Sequence, residues 1–167
     1  MERPRIKIQL TALDYIVEFF AFLFVLSSIV LYVIYWIKAP DIVPIHYNIH
    51  GEVDGYGSKT TLIIMPIINV LMYVGFTILN RYPHIFNFPT TVTEENALFL
   101  YKTSTRAVRW IKLLMCLLFA YIIWHEVSII ITHQEPKLHG IYWLLIATVA
   151  IYPIFPIVKM IKKRKKQ

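Results

Sequence analysis

The sequence predicts an all-α integral membrane protein of four transmembrane helices, with an ordered Pro/Gly-rich extracytoplasmic loop between the first and the second. Three observations carry that expectation. First, 57% of the 167 residues are hydrophobic and 16% charged, against roughly half and a quarter in soluble domains. Second, four runs approach the roughly 20 apolar residues that cross a bilayer core. Phe19 to Ile37, Thr60 to Asn80 and Ile141 to Val158 contain no Asp, Glu, Lys, Arg or His, and Leu113 to Ile131 is interrupted only by His125 and Glu126. Third, lysine and arginine alternate between connections. Rich segments hold Arg3, Arg5 and Lys7, then Arg81 to Lys112, then Lys159 onward; the poor ones hold Lys38, Lys59 and Lys137. By the positive-inside rule both termini and the central connection are cytoplasmic. The whole chain, 1–167, therefore reads as one multi-pass domain of the cell membrane, with no room for a separate soluble unit.

The first span, about 15–37, is too long for a signal-peptide core and no small-x-small cleavage site follows it, so it reads as a retained anchor. The outer loop covers 38–59. The second span, 60–80, carries Pro66, expected to kink it, and Asn69, expected to hydrogen-bond a neighbouring helix. In the cytoplasmic loop 81–107, Thr91 and Glu94 match a capping box, with Glu94 and Glu95 suited to the positive end of a helix dipole. A helix from Glu94 through the third span, 108–131, would reach about 57 Å at 1.5 Å per residue and extend beneath the membrane. On it Arg106, Arg109 and Lys112 recur every three residues as an inner basic strip, for which anionic lipid and a soluble cytoplasmic partner are the two readings. The fourth span, 141–160, contains Pro153 and Pro156 and leads into a basic tail, 159–167.

The net charge of +7 owes most of its excess to that tail and does not imply nucleic-acid binding. Cys116 is the sole cysteine, which excludes an intrachain disulfide and a cysteine metal cluster. Outside the membrane the balance is slightly negative.

The outer loop is the most informative stretch. Pro40 and Pro44 hold the chain extended, Val43 to Ile49 alternate like a short strand, and Gly51, Gly55 and Gly57 would permit positive φ, with Asp54-Gly55 as a turn dipeptide. The string Pro44-x-His46-Tyr47-Asn48-x-x-Gly51-Glu52-x-Asp54-Gly55-Tyr56-Gly57-Ser58-Lys59, followed by an apolar helix with Pro66, resembles the membrane domain of unknown function in the N-terminal half of SdpI-type bacterial immunity proteins. Thr93 to Ala97 with Tyr101, Arg106, Arg109 and Lys112 resembles a second pattern of small four-span members. The resemblance implies a non-enzymatic binding, immunity or signalling protein that meets a peptide, toxin or envelope factor outside the cell. Classical members carry additional spans that this chain lacks.

The loop also permits metal chemistry. His46 and His50 are four apart, a spacing that suits a metal pair on a helix but leaves them about 13 Å apart on a strand. Glu126 and His125 should rise on the same side, making His46, His50 and Glu126 the candidate ligands of a divalent metal. That supports the alternative of a metal-dependent membrane enzyme or accessory subunit. The HExxH signature is absent, since Ile129 and Ile130 follow His125-Glu126 where the second histidine would be needed. No other cofactor is expected, no catalytic residue stands out, and a homo-oligomer stays open.

Overall fold

The structure, a computed structural model, describes residues 3–48, 52–132 and 139–164. Its elements run α1 (Ala12–Lys38), β1 (Ile42–Tyr47), β2 (Val53–Ser58), a 3-10 turn (Lys59–Ile63), α2 (Ile64–Leu79), a second 3-10 turn (Pro83–Ile85), α3 (Glu94–Thr132), α4 (His139–Ile151) and α5 (Ile154–Arg164). Four helical stretches are long and apolar enough to cross a membrane: Ala12–Lys38, Lys59–Leu79, Glu94–Thr132 and Gly140–Lys163. Their outward faces are apolar, Leu71, Leu144 and Phe155 among them. That is tolerable only where the solvent is lipid.

Local chemistry sets the helix ends. Thr11 opens α1, its N–H and Oγ1 both donating to Asp14 Oδ2 at 2.8 and 2.7 Å. At the other end Ala39 donates its N–H to Tyr35 O at 2.8 Å but is itself extended, as the proline after it requires. The start of α3 departs from the expected Thr91/Glu94 box. Thr93 N–H donates to Asn96 Oδ1 at 2.9 Å, and Asn96 Nδ2 turns back to Thr91 O at 3.0 Å. The cap therefore rests on the Asn96 side chain, whose amide can both accept and donate where a glutamate can only accept. Pro66 falls in the first turn of α2, just after the 3-10 turn gives way to α-helix at Ile64, where a missing N–H costs little. Pro153 does break the last span, separating α4 from α5, and Pro156 falls in the first turn of α5.

Helix α3 is the axis. It packs against α1, α2, α4 and α5, while α4 has its main contact with α3. Three apolar clusters are stacked along it. At the hairpin end Tyr35, Ala39, Val43, Leu62, Ile123 and Val127 join both ends of the hairpin to α1 and α3. Ala21, Val25 and Cys116 lie in the middle. At the far end Ala97, Leu100, Tyr101 and Met160 gather Ile6, Ile8 and Phe88 around them. There Arg3 ties the extended N-terminal segment to the loop by donating to His84 O and Phe86 O at 2.9 and 2.6 Å.

The segment between α1 and α2 is the exception to an all-helical description. Strands β1 and β2 pair antiparallel, Ile42 with Ser58, Val43 with Gly57 and Pro44 with Tyr56, with irregularities around His46.

Candidate functional site

Most of the polar signature in the loop is consumed in building the hairpin. Asn48 and Glu52 clasp one end of the strand pair: Asn48 Nδ2 donates to Glu52 Oε2 at 2.8 Å, Glu52 N–H to Asn48 Oδ1 at 3.0 Å, and Asn48 N–H to Glu52 O at 2.9 Å. Asp54-Gly55, expected as the turn, lies instead inside β2. Across the strands the His46 imidazole Nδ1 meets the Asp54 carboxylate. Ser58 Oγ accepts from Thr60 N–H at 3.3 Å and starts the 3-10 turn. Lys59 fastens the hairpin base, its ammonium 3.2 Å from Asp41, 3.3 Å from Ala39 O and 5.2 Å from the centre of the Trp36 ring.

Gly55 and Gly57 do not adopt the positive φ expected of them. Both lie close under the facing strand: a Cβ on Gly55 would come within 3.0 Å of His46 Cβ, and one on Gly57 within 2.6 Å of Ile45 Cδ1, the far end of an exposed side chain that has room to turn aside. The strand faces then divide. Val43 is buried in the cluster with α3, whereas Tyr56, 67% exposed, stands with Ile42 and Pro44 on the opposite face. Tyr56 thus lies exposed on the face turned away from that cluster.

The metal candidates are not drawn into one place. His46 is turned to Asp54 at the exposed hairpin. Glu126 is 8% exposed on α3, with His125 Nδ1 3.5 Å from its Oε1. Among the described residues no three His, Cys, Asp or Glu side chains converge on a common point. His50 and Gly51 lie outside the described residues.

The inner basic strip is turned inward. Arg106 Nε lies 3.3 Å from Asp14 Oδ1, and its Nη2 donates to Thr11 Oγ1 at 3.0 Å. Arg109 Nε lies 3.3 Å from Glu18 Oε1 and its Nη1 3.9 Å from Asp14 Oδ1. The Lys112 side chain is wholly buried; its ammonium donates to Glu18 Oε2 and, at 2.9 Å, to Thr77 Oγ1, 4.6 Å from the centre of the Tyr73 ring. Two carboxylates on α1 thus meet three cations on α3, with α2 closing the side. Lys112 has no surface left for lipid or a soluble partner; Arg106 remains partly accessible. Asp14 and Glu18 were not singled out by sequence reasoning because they precede the clean apolar run at Phe19. Their i, i+4 spacing at its edge, matched to a strip of period three, is the signal that points to them. In the middle of the bundle Asn69 Nδ2 reaches Ser28 Oγ at 3.1 Å and Cys116 O at 3.4 Å, joining three helices as expected.

No solved structure matches this chain. An uncharacterised protein of Archaeoglobus fulgidus is 37% identical over 60 residues, which cover 31% of this chain and 33% of that protein. The chain thus matches about a third of that relative's length. The family described as Domain of unknown function (DUF1648) matches residues 22–70. Those residues begin within α1, include β1 and β2 and end within α2.

Proposed function

We propose that the protein is a non-enzymatic membrane binding protein, similar in role to SdpI-type immunity proteins, with both termini in the cytoplasm and the hairpin outside. The hairpin meets a peptide, toxin or envelope factor, and α3 with its carboxylate partners holds the bundle rigid beneath it. The observation that supports this reading is the division of labour within the hairpin. Asn48, Glu52, Lys59 and the two glycines brace it, while Tyr56, Ile42 and Pro44 are presented outward. An exposed aromatic residue on a braced scaffold suits recognition, since little conformational entropy is lost on contact.

The orientation follows from the lysine and arginine distribution and has its own test. In a variant whose buried Cys116 is replaced by Ala, Tyr56→Cys should react with a membrane-impermeant maleimide in intact cells, and Lys102→Cys only after permeabilisation. The reverse pattern overturns the arrangement. For function, deleting the gene should sensitise cells competing with relatives that export toxic peptides, and the wild-type gene should restore growth. Unchanged sensitivity removes the immunity reading.

A second reading, a metal-dependent enzyme or accessory subunit, draws support from the buried Glu126 carboxylate beside His125. Metal analysis of the detergent-purified protein tests it: stoichiometric metal lost in Glu126→Gln favours it, and none bound after incubation with zinc or manganese rejects it.

A further inference from the structure

The two free edges of the hairpin are unequal. Lys59 N–H donates to Asp41 O at 3.0 Å, which fixes the phase of the ladder. Bonded and non-bonded pairs alternate along antiparallel strands, so Ile42 with Ser58 and Pro44 with Tyr56 are non-bonded pairs whose backbone groups point away from the partner strand. On β1 that outer edge falls on Ile42 and on Pro44, which has no N–H to offer and interrupts the row of donors. On β2 it falls on Tyr56, which keeps donor and acceptor alike, and on Ser58, whose N–H remains while its carbonyl opens the 3-10 turn; both residues are exposed. One edge is blunted in the manner natural sheets use, and the other is left open.

The charge around that edge is one-sided. Between 41 and 59 the chain carries Asp41, Glu52 and Asp54 against Lys59; the Lys59 ammonium serves Asp41 and Ala39 O, Asp54 faces the His46 imidazole, and Glu52 accepts from the neutral Asn48 amide and so keeps its charge uncompensated among the described residues. Glu52, Asp54, Tyr56 and Ser58 are all exposed. A strand laid along β2 would set alternate side chains beside Tyr56, whose ring offers a π face to a cation. We propose that the outer edge of β2 takes up an extended cationic peptide segment as a third strand, main-chain hydrogen bonds to Tyr56 and Ser58 supplying the affinity and the acidic surroundings the selectivity. This rests on the hairpin's being the recognition element and specifies how it binds and what it selects.

The test uses the full-length protein in detergent and a synthetic ten-residue peptide alternating lysine with valine. The peptide should bind, its analogue N-methylated at every backbone amide at least tenfold more weakly, and the glutamate–valine counterpart at least tenfold more weakly. Tyr56→Pro, which removes the outward N–H from a non-bonded position, should weaken binding at least tenfold, while Tyr56→Val should retain most of it. If Tyr56→Pro does not fold, the N-methylated analogue decides alone. Equal binding of the N-methylated or the acidic peptide, or no binding of the lysine–valine peptide, overturns the proposal. A dimer dissolved by Tyr56→Pro also overturns it, by making a second copy the occupant. Loss of protection in Ile42→Ala with Tyr56→Ala cells, together with no peptide binding, leaves the recognition reading standing and removes strand addition alone.

Discussion

The hairpin and the ionic belt between α1 and α3 spend their polar residues in opposite ways. In the hairpin, partners are close in sequence, four residues apart for Asn48 and Glu52 and eight for His46 and Asp54, and exposed to solvent. In the belt they are distant, 92 residues for Arg106 and Asp14 and 94 for Lys112 and Glu18, and Lys112 is wholly buried. The first arrangement shapes a small surface at modest energy. The second fixes two long helices, because an uncompensated charge in a dry interior is far more costly than a broken surface pair.

That contrast predicts an order of effects. Glu18→Gln should be the most damaging, leaving Lys112 without its carboxylate and lowering stability by about 3–5 kcal/mol. Thermal unfolding in detergent reads it, and adding Lys112→Met should restore most of the loss. A single mutant as stable as wild type would show that the belt does not hold α1 to α3. Asn96→Ala, at the cap of α3, should cost about 1 kcal/mol, with Thr91→Ala near neutral; the opposite ranking would return the cap to Thr91 and Glu94. Asn48→Ala should cost about 1 kcal/mol locally, seen as faster amide exchange in β1 and β2 with the unfolding midpoint hardly moved. His46→Ala is the smallest, under about 1 kcal/mol, since the pair with Asp54 is exposed. A larger loss there than at Glu18 would invert the comparison.

What the sequence made legible follows the same division. The apolar runs announce the four long helices because length and absence of charge suffice. The loop signature announces a defined structure, since its partners lie within a few residues of one another. The same signature misplaces the turn: Asp54-Gly55 is a good turn dipeptide locally, but the Asn48–Glu52 clamp joins the strands nearer the middle of the loop and leaves Asp54-Gly55 inside β2. The direction of the Arg106, Arg109 and Lys112 strip was not legible at all. A basic strip near a membrane edge faces lipid or protein according to what stands opposite, and its counterparts on α1 lie some ninety residues away.

The role we propose for the braced hairpin is to present the face of Ile42 and Tyr56 to an extracellular partner. Its most direct measurement is the growth of cells competing with toxin-exporting relatives, comparing the deletion strain complemented by wild type, by Ile42→Ala with Tyr56→Ala, and by His46→Ala, each at equal membrane abundance. Wild type and His46→Ala should restore growth, and the double face variant should not. Full protection by the double variant would contradict the claim.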